Sequence, residues 1–174
     1  MSLNKYRASV QPLRKGHCLT RISLLTVLAL LLFIVELQFP VVVPVPGVKL
    51  GLANVVTVFA VFVLGFGDAF AVVVLRVLLG GFLSGQVMAV VFSMAGGLVS
   101  LGVLLCFRPL LSNHRIWIAS ALSAVAHNVG QLGVAVIITR TPGLLAYLPV
   151  LVISGILAGA CTGLLAQIVV RRLT

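Results

Sequence analysis

Six long apolar runs, each closed off by glycine, proline or basic residues, leave this chain few ways to fold. They extend from about Arg21 to Phe39, Leu50 to Phe66, Ala69 to Leu83, Gln86 to Phe107, Trp117 to Ile138 and Leu148 to Val170. A helix that crosses a bilayer needs ~20 predominantly apolar residues. Inside hydrocarbon it must also satisfy its own backbone N–H and C=O groups, which a helix does. The 174 residues have room for about six such helices with short connections. At 61% hydrophobic and 8% charged residues, the composition excludes a water-soluble globule. The expectation is an all-α integral membrane protein, a bundle of about six transmembrane helices. Residues 1–20 form a basic cytoplasmic tail and residues 21–174 a single six-helix membrane domain. Little is left for a soluble domain, so any catalytic or energy-supplying domain belongs to other chains.

A net charge of +10 would point to nucleic acid in a soluble protein. Here the cations sit where membrane topology puts them. Lys5, Arg7, Arg14, Lys15 and Arg21 precede or open the first run, Arg108 and Arg115 lie between the fourth and fifth, and Arg171 and Arg172 close the sixth. Those nine, against Lys49 and Arg140 on the other side, give a strong positive-inside bias with both termini cytoplasmic. Without a basic surface interleaved with aromatics, nucleic acid is not an expected partner; the lipid bilayer and its anionic headgroups are. Cys18, Cys106 and Cys161 are too scattered for a metal-binding pair and read as small apolar fillers. No metal or cofactor is expected. The first run lacks a small-x-small cleavage site and reads as an uncleaved span.

Against this background one stretch stands out. Glu36 falls in the last turn or so of the first span, Pro40, Pro44 and Pro46 follow, and Gly47 and Lys49 lead to Asn54. Prolines lack a donor N–H and hold their predecessors extended, so an irregular, outward-facing loop should follow the first helix. An acid and a lysine in so apolar a chain are costly unless paired, hydrated or used, which makes this stretch a candidate functional site.

Other polar groups at membrane depth are few. Arg76 falls in the middle of the third run, and His127, Asn128 and Gln131 in the fifth. On a helix His127 and Gln131 share a face and Asn128 lies three residues from Gln131, which makes one polar patch that should face the bundle interior. Two accounts remain open for these residues. They could tie helices together, at ~0.6 kcal/mol per hydrogen bond in membrane proteins, with Arg76 paired to Glu36 or Asp68. Alternatively, they line a ligand cavity whose excess of Lys49 and Arg76 over Glu36 suits a polar or anionic head group. Gly96 and Gly97 in the fourth run, and Gly155, Gly159 and Gly163 in the sixth, form small-residue faces for close helix packing. Enzymatic readings find no paired carboxylates for magnesium and diphosphate, no glycine-rich nucleotide loop with its lysine, and no Ser-His-Asp set. No period of roughly 20 to 50 residues repeats, so an inverted-repeat transporter is not expected.

From about Leu24 to Leu173 the chain resembles the Gx transporter family, often labelled heptaprenyl diphosphate synthase component I. That family belongs with the substrate-binding S components of energy-coupling factor transporters. The resemblance is carried by Pro46-Gly-Val-Lys-Leu-Gly-Leu-Ala-Asn54, Arg76-Val-Leu-Leu-Gly80, Phe92-Ser-Met-Ala-Gly-Gly97, Ala126-His-Asn-Val-Gly-Gln131 and Tyr147-Leu-Pro149 with Ser154-Gly155. It implies a multi-pass protein of the bacterial cytoplasmic (inner) membrane, with an outward-opening substrate pocket between its helices. It also implies a membrane coupling protein and two cytoplasmic ATPases as partners. S components commonly dock through alanines four apart in the first helix; here Ala29 is followed at that spacing by Phe33. The expected function is non-enzymatic capture of a small molecule for uptake, such as an isoprenoid, quinone-related or vitamin-like compound. Glu36, Lys49, Asn54, Arg76, His127, Asn128 and Gln131 are the expected binding residues. The alternative is an accessory subunit of a membrane assembly handling prenyl lipids or redox carriers.

Overall fold

The computed structural model describes residues 15–38, 51–85, 87–111 and 115–173. The helices are α1 (Lys15–Gln38), α2 (Asn54–Val63), α3 (Phe66–Ser84), α4 (Val87–Phe107), α5 (Ile116–Thr139) and α6 (Leu148–Leu173). A 3-10 segment, Pro142–Tyr147, leads into α6. No strand occurs among the described residues. Among the described residues five helices are long and apolar enough to cross a membrane, and the protein is a multi-pass membrane protein.

The second span is where sequence and structure part. A helix across the whole run from Leu50 to Phe66 was expected; α2 has ten residues, ~15 Å at 1.5 Å per residue, about half the hydrocarbon core. Glycines cut it at both ends. Gly51 sits at φ +69° in a turn closed by Asn54 N–H donating to Gly51 O (2.8 Å). Gly65, at φ +117°, donates its N–H back to Ala60 O (3.0 Å). The break expected between the run ending at Phe66 and the run starting at Ala69 moves to Gly65, because α3 already begins at Phe66. Likewise α1 begins at Lys15, ahead of the expected start near Arg21.

Packing fixes the direction of each element. Helices α1 and α3 run side by side in parallel. Cys18 Sγ donates to Asp68 Oδ1 (3.3 Å) at one end, and Gly80 faces Phe33 and Leu30 toward the other. Helices α4, α5 and α6 form an antiparallel set, stitched by Ser100 to Ser123 (2.7 Å), Ser120 to Thr162 (3.4 Å) and Asn128 to Leu151. Between the two groups sits α2, packed on α1, α3, α4 and α6. Its Val58, Ala60 and Val61 join Ala69, Leu101, Leu104, Ile116, Ala119, Ala166 and Val170 in the main apolar cluster. That cluster gathers the ends of α2, α4 and α6 and the starts of α3 and α5 at one end of the bundle. Arg108, Arg115, Arg171 and Arg172 therefore lie toward that end, with Arg140 at the other.

The outer faces carry large apolar side chains, among them Leu24, Phe82, Val87, Ile137 and Leu157. In water these would be a liability; against lipid tails they are neutral, and helix association must come from close packing and polar contacts. Small residues provide the packing. A methyl group added to Gly159 would come within 2.7 Å of Ala121 Cα, and one on Gly163 within 2.7 Å of Trp117 Cα. On α4, a methyl on Gly96 would lie 2.7 Å from the His127 carbonyl oxygen, and one on Gly97 3.1 Å from Val73. Gly155 is nearly as tight, 3.0 Å from Asn128 Nδ2.

Candidate functional site

The close α4–α5–α6 seam and the separate α1–α3 pair leave a cavity of about 150 Å³ between them, toward the end of the bundle away from the main apolar cluster. Glu36 from α1, Asn54 from α2, Arg76 from α3, and His127, Asn128 and Gln131 from α5 all line it. Six of the seven residues picked out in the sequence thus meet at one place, although they come from four helices. Lys49, the seventh, and the proline-rich loop lie outside the described residues, as does Gln86.

Glu36 is buried at the C-terminal end of α1, 8% exposed. Its Oε1 accepts a 2.6 Å hydrogen bond from the Gly51 amide. Hydrogen bonds to an ionised carboxylate are short and about twice as strong as neutral ones. This one anchors the entrance of α2 to the end of α1 and holds the carboxylate at the cavity wall.

Arg76 projects from the middle of α3 and is half-buried. Its Nε is fully enclosed and has no hydrogen-bond partner among the described residues. Glu36 is its electrostatic neighbour. Neither acid forms the internal ion pair that would have explained Arg76 structurally. Glu36 bonds Gly51 instead, and Asp68, eight residues earlier and thus ~12 Å along the helix axis, accepts from Cys18.

On the opposite wall, Asn128 Nδ2 donates to the Leu151 carbonyl oxygen (2.8 Å), which also receives Ser154 Oγ (3.2 Å). Asn128 therefore ties α5 to α6 as well as lining the cavity. Gln131 and His127 lie against Gly96. Only a glycine on α4 leaves room for both, so the α4 stripe positions the polar patch. Both accounts of the patch find a physical basis, in different residues.

Several lining residues were not among the binding residues expected from the sequence: Phe33, Gly51, Ser84 and Thr162. Thr162 had a usable signal. It follows Gly155 by seven and Gly159 by three residues, on the same helical face. Gly51 had none, because its part is played by a backbone amide.

A family model described as heptaprenyl diphosphate synthase component I matches residues 25–169. The chain belongs to that family. No curated protein and no solved structure matches it. The match to the heptaprenyl diphosphate synthase component I model runs from α1 almost to the end of α6, so every cavity residue falls within it. The family's description is that of one component of a larger system. In this family member the cavity joins a carboxylate and a guanidinium on the α1–α3 side to amides and an imidazole on α5. Such an arrangement can orient and hold a polar group at membrane depth, where electrostatic interactions are stronger than in water.

Proposed function

We propose that this protein is the substrate-capture subunit, similar to an S component, of an uptake system in the bacterial cytoplasmic membrane. It binds a small molecule with a polar head, of isoprenoid, quinone-related or vitamin-like type, in the cavity between α1–α3 and α4–α6. The observation that carries this reading is the meeting of Glu36, Asn54, Arg76, His127, Asn128 and Gln131 around one cavity, with the Arg76 Nε left unpartnered. Buried polar groups without partners are expensive in lipid and mark binding or transport sites. Arg76 and His127, with Lys49 from the loop, hold the head group; Asn54, Asn128 and Gln131 hydrogen-bond it. By the positive-inside rule the basic end of the bundle faces the cytoplasm, and the cavity opens outward.

The subunit has no catalytic role of its own in this reading. The chain has two acids in all. Glu36 and Asp68 stand near opposite ends of their parallel helices α1 and α3 and cannot form a magnesium-diphosphate site together. Energy comes from partners, a membrane coupling protein with cytoplasmic ATPases. Ala29 does not take part in docking, because it is fully buried against Val56 and Val72, and Phe33 faces the cavity. The exposed apolar face of α1, with Leu24, Val27, Leu28 and Leu31, is the surface that remains for a coupling protein.

The family's description supports a second reading, an accessory subunit whose polar patch serves assembly; the Asn128 bond to Leu151 favours it. Mass spectrometry of small molecules released from the purified protein separates the two. Capture requires a stoichiometric ligand and uptake that falls with Arg76→Met. An empty cavity, with uptake unchanged by that substitution, excludes it.

A further inference from the structure

Two ring side chains in the cavity wall narrow the ligand. Phe33 from α1 and His127 from α5 line the cavity from opposite sides. Resting on the capture reading above, we infer that the bound head group is a flat, unsaturated ring. It lies between Phe33 and His127, with its polar substituents turned toward Asn54, Arg76 and Gln131. This selects a quinone-like or heteroaromatic compound over an acyclic prenyl diphosphate.

Each ring is seated against a glycine of the neighbouring helix. A methyl group built on Gly80 would touch Phe33 Cε1 at 3.4 Å and Cδ1 at 3.5 Å, so the phenyl ring rests on α3 one turn beyond Arg76. A methyl on Gly96 would lie 3.1 Å from His127 Cε1, which puts the imidazole against α4. The two glycines thus fix where the rings stand, one on each side of the cavity. Apart from Phe33, the apolar side chains of the described lining are those of alanine and valine, without leucine, isoleucine or methionine. A volume of about 150 Å³ is too small for a prenyl chain but matches an apolar cavity that holds one benzene-sized ring. Aromatic faces favour flat partners, in offset or edge-on contact, beyond the area they bury. Polar groups on the rim of such a ring need donors and acceptors in several directions, which Arg76 and the amides of Asn54 and Gln131 offer. Flatness is set by these walls and does not depend on the charge the ligand carries.

The test compares benzamide with cyclohexanecarboxamide, which share a primary amide and a six-membered ring and differ in flatness. Each is added at equal millimolar concentration to the detergent-purified full chain stripped of bound ligand, with thermal unfolding as readout. Benzamide should raise the wild-type midpoint by at least about 2 °C more than its saturated analogue does. Phe33→Leu keeps apolar bulk but loses the aromatic face, and in this variant the difference should vanish. The two amides are compared within each protein, so a loss of stability alone does not remove the difference. Equal shifts in the wild type, zero included, overturn the inference, as does a preference for the saturated amide or one for benzamide that survives Phe33→Leu. Should Phe33→Leu fail to fold, the wild-type comparison is read together with the ultraviolet spectrum of the molecule released from wild type. Absorption by a conjugated ring supports the inference, and a saturated or acyclic molecule overturns it while leaving capture intact. Release of no molecule refutes capture itself, while the amide pair still decides whether the cavity selects a flat ring.

Discussion

The Gly51 amide donates to the Glu36 carboxylate at 2.6 Å, joining the end of α1 to the entrance of α2. Glu36→Ala removes a charge-assisted bond and orphans a backbone donor, at a cost of about 2 kcal/mol. Glu36→Gln keeps an acceptor oxygen and should cost less. Gly51→Ala meets no obstruction, since the nearest atom is Asn54 Cβ at 4.0 Å. It must nevertheless hold a side chain at φ +69°, a penalty of ~1–2 kcal/mol. Thermal unfolding in detergent checks this order, and a Gly51→Ala protein as stable as wild type would contradict it.

Glycines in this protein divide sharply by what surrounds them. Gly159→Ala and Gly163→Ala force α6 away from the α5 backbone and should destabilise by ~1–3 kcal/mol. Gly102→Ala, in the exposed face of α4 with nothing within 4 Å, should be neutral or stabilising by up to ~1 kcal/mol. Unfolding midpoints of the three variants decide whether close packing or chain flexibility explains the stripe.

The hydroxyls of Ser100 and Ser123 bond each other at 2.7 Å, fully buried between α4 and α5. Removing one orphans the other, so Ser100→Ala and Ser123→Ala should each cost ~0.6 kcal/mol or more, and the double variant less than their sum. Additive effects in a double-mutant cycle would show that the pair contributes nothing.

Asn128 and Gln131 should separate by phenotype. Asn128→Ala severs the link to Leu151, lowering both the unfolding midpoint and ligand retention. Gln131→Ala should lower retention ~5–10-fold, the worth of one hydrogen bond of ~1 kcal/mol, with stability unchanged. Bound small molecule per mole of purified protein, measured beside the midpoint, tests the split.

Much of this was legible in the residues because the bilayer makes polarity scarce. Glu36, Arg76 and the His127-Asn128-Gln131 face were identifiable because lipid has no use for them, and interior orientation brings such residues together. The length of α2 was not legible in hydropathy. Leu50 to Phe66 reads as apolar throughout, whereas the positive φ angles of Gly51 and Gly65 that end the helix are backbone choices with no hydropathic trace. For the same reason the partner of Glu36 stayed hidden: an acid in this chain invites pairing with Lys49 or Arg76, and a glycine amide took the place.

The central claim is that Arg76 is kept for a ligand rather than for the fold. An arginine at the middle of a membrane helix costs ~2.5–3.5 kcal/mol, and here no ion pair within the described residues offsets it. The decisive measurement is small-molecule content by mass spectrometry, alongside the unfolding midpoint, for wild type and Arg76→Met. The account expects a ligand released from wild type and absent from Arg76→Met, with the empty variant no less stable than ligand-stripped wild type. Equal ligand in both proteins, or collapse of the variant without any ligand in wild type, would contradict it.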